Sequence, residues 1–119
     1  MKKLGLVIVV LLFNLGCSQI KEKDITEVSR SELENVVLVD VRTPKEFNAG
    51  HLDNSLNIDW QGDSFMEEFD KIDKDKTIYL YCRSGRRSAD ATRYLDSLGY
   101  MNVYNLTGGY IAWTEKTSE

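Results

Sequence analysis

The run Val36-Val37-Leu38-Val39 has no polar face, and a strand of that kind persists only where both of its sides are covered. It demands a sheet enclosed between layers, and the rest of the chain supplies the parts. Thr77 to Tyr81, Leu56 to Ile58 and Asn102 to Leu106 are further short strand-like runs, and Ile25 to Val28 reads as a strand at the sheet edge. Amphipathic stretches fall between them. Ser29-Arg30-Ser31-Glu32 has the pattern of a capping box opening a brief helical turn. Thr43-Pro44 starts a helix that Gly50 stops, because a cap residue is followed by a proline whose φ is already helical. Ser64 to Ile72 places Phe65, Phe69 and Ile72 on one helical face, and Ser88 to Leu98 repeats small or apolar residues at Ala91, Tyr94, Leu95 and Leu98 before Gly99 ends it. Gly109 to Thr114 is a closing helical turn. Strands alternating with helices in this way specify an α/β domain around a buried sheet. At 119 residues, 42% hydrophobic and 29% charged with one proline, the chain has the composition of a single globular domain.

The first sixteen residues stand apart. Lys2 and Lys3 precede an apolar run from Leu4 to Leu15, which is shorter than the ~20 residues a helix needs to span a bilayer. This is the pattern of a signal peptide. Gly16-Cys17, followed by Ser18-Gln19, resembles the lipobox of bacterial lipoproteins, although Asn14 stands where that pattern usually has an aliphatic residue. The resemblance implies that Cys17 is acylated and becomes the new N-terminus, so the protein is expected to be exported and anchored by lipid to a membrane on the periplasmic side of the cell envelope. Acyl chains hold firmly because each buried CH2 contributes ~0.8 kcal/mol. The division expected is a signal peptide at 1–16, a lipidated N-terminus and charged spacer at 17–24, and a folded domain at 25–119. Without Lys2 and Lys3, 13 basic residues face 19 acidic ones, a balance of about −6 that argues against nucleic acid as a partner. Two cysteines exclude a disulfide scaffold, and one histidine with two separated cysteines cannot supply the usual four metal ligands, so neither metal nor cofactor is expected.

The chemistry gathers where the Thr77–Tyr81 strand ends at Cys82 and Arg83-Ser84-Gly85-Arg86-Arg87 leads into the next helix. In open parallel sheets, sites form outside the carboxyl ends of strands. A loop whose amides and helix N-terminus point inward presents a partial positive charge to the sulfur and to any anion beside it. Cysteines so placed titrate at about 3.5–7.5 rather than ~8.5. Cys82 is therefore the candidate nucleophile, Gly85 lets the backbone turn, and Arg83, Arg86 and Arg87, with Arg93 beyond, raise the local potential of an acidic chain.

Asp40-Val41-Arg42-Thr43-Pro44-Lys45-Glu46-Phe47, Gly50-His51-Leu52, Asn57-Ile58, Cys82-Arg83-Ser84-Gly85-Arg86-Arg87-Ser88 and Gly108-Gly109-Tyr110-Ile111-Ala112-Trp113 together resemble a single-domain rhodanese, over about residues 25 to 113. The resemblance implies a rhodanese-like α/β fold, a five-stranded, mostly parallel sheet with helices on both faces. It also implies a sulfurtransferase that carries sulfane sulfur as a persulfide on Cys82, with thiosulfate as the usual small anionic donor and cyanide or a thiol as acceptor. Arg83, Ser84, Gly85, Arg86 and Arg87 are then the substrate-binding residues, and Arg87 is the first choice for contact with the donor.

Asp40 and Arg42 are read as supports that bond to neighbouring loops, and Glu46 as a further support that pairs with a loop arginine. His51 is read as a structural hydrogen-bonding residue, and Trp60 and Trp113 as packing residues, with Trp60 at the pocket rim. Two other functions fit the same loop. One is a docking module that binds sulfur without turnover, against which the retained cysteine speaks. The other is a phosphatase or arsenate reductase, whose larger loop has five residues between cysteine and arginine where Cys82 and Arg87 are separated by four. With Cys17 acylated, Cys82 also has no second thiol with which to form a resolving disulfide.

Overall fold

A computed structural model describes residues 19–118 of the chain. Cys17 and the 1–16 segment, on which the export and lipidation expectations rest, lie outside the described residues. The elements run β1 (Lys21–Asp24), α1 (Arg30–Glu34), β2 (Val37–Asp40), α2 (Pro44–Ala49), β3 (Leu56–Asn57), α3 (Phe65–Phe69), β4 (Thr77–Tyr81), α4 (Arg86–Ser97), β5 (Asn102–Thr107) and α5 (Gly109–Thr117). All strand pairings are parallel, in the order β1-β5-β4-β2-β3. The α/β architecture with a five-stranded sheet and helices around it is the expected one.

Side-chain alternation sorts the core into two layers. Ile78 and Leu80 of β4, Val39 of β2 and Val41 just after it, and Val103 of β5 pack with Phe65 and Phe69 of α3 and Ala91 and Leu95 of α4. Tyr79 and Tyr81, Leu38 and Leu106 point the other way, toward Leu33 of α1 and Tyr110 and Trp113 of α5. Cys82 follows the parity of Ile78 and Leu80, so its sulfur falls on the side of α4.

Two expectations are corrected. The edge strand is Lys21–Asp24, not Ile25–Val28. Ile25 (0% exposed) and Val28 (4%) are apolar because the chain turns inward there and fills the α1 and α5 layer, whereas β1 shows mainly charged side chains to solvent and is held by backbone pairing to β5. The Ser29–Glu32 motif caps α1 in one direction only. Ser29 accepts the Glu32 amide at 3.0 Å, while the Glu32 carboxylate turns away to take the Tyr79 hydroxyl. The α2 motif, by contrast, closes both ways, the Glu46 amide donating to Thr43 Oγ1 at 3.2 Å and the Thr43 amide to Glu46 Oε1 at 3.1 Å.

Candidate active site

β4 delivers Cys82 to the carboxyl edge of the sheet, and the chain immediately curls back around the sulfur. Three donors converge on Sγ: the Gly85 amide at 3.1 Å, the Ser88 amide at 3.4 Å and the Ser88 hydroxyl at 3.4 Å. The inward aim of these amides follows from what holds the carbonyls outward. The first free N–H groups of α5 take two of them, Tyr110 donating to Cys82 O at 2.8 Å and Ile111 to Arg83 O at 3.1 Å. The Gly85 carbonyl is held by the Ala89 amide at 3.0 Å and Asn105 Nδ2 at 3.4 Å.

Two glycines make this packing possible. Gly85 caps α4 with φ +114°, a left-handed conformation that an L side chain rarely adopts. Gly109, at φ +63°, brings α5 so close to the loop that a Cβ there would lie 2.5 Å from Arg83 O and 2.6 Å from Cys82 O.

The electrostatics favour an anion at the sulfur. No side chain caps α4 and no acidic residue sits in its first turn, so the positive end of a twelve-residue helix faces Sγ unneutralised. Burial pushes the Cys82 thiol up, but the Ser88 hydroxyl and the amides of Ser88, Gly85 and Ser84 outweigh it and hold the thiol below its ordinary value. Cys82 is 1% exposed.

The candidate residues separate into groups. Arg83, Ser84 and Arg86 are exposed around the loop, and Arg83 and Arg86 enter no ion pair among the described residues. Arg87 does not face a donor position freely. Its Nη1 and Nη2 form a fork with Glu46 Oε1 and Oε2 at 2.7 and 2.9 Å, the pairing with a loop arginine read for Glu46 in the sequence. The fork from Arg87, aided by Thr43, lowers the Glu46 carboxyl to about 2.

Asp40 (0% exposed) and Arg42 (4%) form a closed pair beside the loop, with Nη2 to Oδ2 at 2.7 Å, and the Arg42 amide also donates to Asp40 Oδ1 at 2.9 Å. Arg42 Nη2 further reaches Gly50 O at 2.7 Å, and its guanidinium lies 4.3 Å from the centre of the Tyr110 ring. His51 bonds Phe47 O through Nδ1 at 2.8 Å and stacks on the Phe47 ring, outside the cysteine loop. Trp60 meets Phe65 edge-on and Trp113 packs in the opposite layer.

Three contributors were not among the residues singled out from the sequence. Ser88 was legible, because it is the third residue of the helix that begins at Arg86, where an amide is still free. The helix was placed two residues too late to show it. Asn105 could be suspected as a polar residue at an inward position of β5; it is 1% exposed and its Nδ2 also reaches Glu22 Oε2 at 3.4 Å. Gly109 stands in the sequence as the start of the closing helical turn, but its close approach to the cysteine loop leaves no local signal.

Residues 28–116 match the Rhodanese-like domain family. A sulfurtransferase of Allochromatium vinosum is 41% identical over 83 residues, covering 70% of this chain and 76% of that protein. The thiosulfate sulfurtransferase GlpE of Shewanella oneidensis is 33% identical over 88 residues, covering 74% and 85%. Among solved structures, a rhodanese-related protein from Thermoplasma volcanium superposes with a TM-score of 0.71 at 28% identity, over 81% of this chain and 92% of that one.

Proposed function

The chain belongs to the rhodanese-like family, and on that premise we propose that it is a sulfurtransferase in which Cys82 takes sulfane sulfur from a donor and passes it on as a persulfide. The observation that carries this reading is the convergence of the Gly85 and Ser88 amides and the Ser88 hydroxyl on one sulfur at a strand end. Donors so placed stabilise a thiolate, and they remain in place for the charge that moves through the site in the reaction.

With thiosulfate as donor, the Cys82 thiolate attacks the outer sulfur. The new S–S bond forms as the sulfur–sulfur bond of the donor breaks, and sulfite leaves with the bonding pair. Cys82 then carries a persulfide anion. A thiolate or cyanide attacks the terminal sulfur, and the Cys82–S bond breaks to return the thiolate. No redox partner is needed, because each step exchanges one nucleophile for another at the same sulfur. The loop amides hold the negative charge at the start and end of both steps, and Arg83 and Arg86 are the cations placed to draw an anionic donor to the mouth.

A phosphatase reading is disfavoured by the same geometry, since the arginine that ends the loop is already forked to Glu46. The test is direct. Incubation with thiosulfate should add the mass of one sulfur atom to Cys82, and cyanide should then release thiocyanate and restore the original mass. Cys82→Ser should abolish both, and p-nitrophenyl phosphate should not be hydrolysed. A sulfur transfer that survives in Cys82→Ser, or phosphate release by the unaltered protein, would overturn the proposal.

The proposal includes export and a lipid anchor at Cys17, supported by the Lys2-Lys3 start, the apolar run and Gly16-Cys17. Palmitate labelling that is lost in Cys17→Ala supports it, and a variant that still sediments with membranes speaks against it.

A further inference from the structure

The fork between Glu46 and Arg87 bears on which sulfur donors the loop can use. Arg87 is the residue that closes the loop, directly before Ser88, whose amide and hydroxyl lie 3.4 Å from Cys82 Sγ. Left free, it would be the third cation at the mouth beside Arg83 and Arg86. Instead both of its terminal nitrogens are committed to one carboxylate, at 2.7 and 2.9 Å, and the pair is about three-quarters buried, with 23% and 29% of the two side chains exposed. Glu46 is itself fixed, because Oε1 also accepts the Thr43 amide and hydroxyl, each at 3.1 Å, in the capping box that starts α2. A carboxylate with that many donors does not swing away to release the arginine when a ligand arrives.

We propose that Glu46 is a specificity-determining residue, which by neutralising Arg87 sets the loop against the doubly charged donor thiosulfate and in favour of weakly charged donors of the alkyl hydropersulfide class. This rests on the sulfurtransferase reading above and names its substrate class. The chemistry balances for such a donor. The Cys82 thiolate attacks the outer sulfur of R–S–SH, the S–S bond breaks, RS⁻ leaves with the bonding pair, and Cys82 holds the persulfide with its proton. The leaving thiolate carries one charge where sulfite carries two, so it has less need of a third guanidinium.

The experiment compares kcat/KM for thiosulfate with that for a small alkyl hydropersulfide in three full-length proteins: the unaltered chain, Glu46→Gln, and Glu46→Gln combined with Arg87→Gln. Glutamine keeps the shape of the capping box but drops the charge. Removing one negative charge from the mouth should favour the dianion over the less charged donor roughly five- to tenfold, mostly through KM, and the gain should shrink as salt is added. The double variant restores the original net charge and should return the ratio toward that of the unaltered chain. A ratio unmoved by Glu46→Gln, or moved equally in the double variant, overturns the proposal. Should Glu46→Gln fold poorly, Arg87→Gln alone is read instead, where the exposed carboxylate should lower the ratio further and an unchanged ratio is again contrary. If the unaltered protein acquires sulfur on Cys82 from neither donor, it is the sulfurtransferase reading that fails.

Discussion

Two strand ends lie side by side in the sheet, β2 and β4, with Asp40 opposite Tyr81, and each leads into a buried charge. They neutralise it by different means. After β2, the Asp40 carboxylate meets a fixed cation, Arg42, and the two satisfy one another with three hydrogen bonds between side chains and one from the backbone. Nothing is left over to react. After β4, the Cys82 sulfur meets neutral dipoles, two amides and a hydroxyl, and Arg87 at the end of its loop is paired with Glu46. Dipoles stabilise an anion without bonding it into a pair, so a thiolate held in this way would stay available as a nucleophile. The lesson is that at this sheet edge a counter-ion builds structure, while a ring of N–H groups builds reactivity.

The sharpest way to break the contrast is to open the closed pair. Arg42→Ala strands a carboxylate that is 0% exposed, and removing one partner of such a pair destabilises by ~3–5 kcal/mol. Urea denaturation should show that loss, and a change within error would mean that Asp40 is not held as a buried charge. Next in size is Gly109→Ala, where strain at positive φ and the clash with the Cys82 and Arg83 carbonyls should destabilise by ~2–3 kcal/mol. Because the clash displaces the loop itself, sulfur transfer should fall by about a hundredfold. Retained turnover in a folded Gly109→Ala protein would show that the carbonyl anchoring by α5 is dispensable.

How far the contrast could be read without coordinates depends on the residue. Thr77–Tyr81 is legible as a strand because it is a run of apolar and β-favouring residues, and α2 because Thr43, Pro44 and Gly50 each act locally. Lys21–Asp24 was not legible as a strand, since four alternately charged residues carry no apolar signal and the pairing that makes them a strand comes from β5, eighty-three residues further on in the Lys21 to Tyr104 register. In the site, Cys82 and its loop were visible as a motif. The partner of Arg87 was not settled, because a contact across forty-one residues depends on how α2 packs against the start of α4.

Smaller effects refine the picture. The Glu46 carboxyl is held at about 2, below its value in the unfolded chain, so the pair's contribution is fully present above about pH 4.5 and is lost as pH falls toward 2. Discounted for partial exposure, Glu46→Gln should therefore cost ~1–2 kcal/mol at neutral pH and almost nothing near the acid limit. Denaturation at pH 7 and pH 3 measures this, and a pH-independent difference would contradict the assigned charge pairing. Ser88→Ala removes one of the three donors to the sulfur and leaves the fold intact. The loss disfavours the thiolate, so the pH at which Cys82 becomes reactive should rise by up to about one unit, the equivalent of ~1 kcal/mol. No displacement would show that the hydroxyl donates elsewhere.

The central claim is that backbone and hydroxyl dipoles hold the Cys82 thiol below its ordinary value, and the measurement that reaches it most directly is the rate of Cys82 alkylation by iodoacetamide as a function of pH, followed on the Cys82 peptide by mass spectrometry. A midpoint clearly below the ~8.5 of a free cysteine is the predicted result. A midpoint at or above that value, or a sulfur that no alkylating agent reaches in the folded protein, would contradict it.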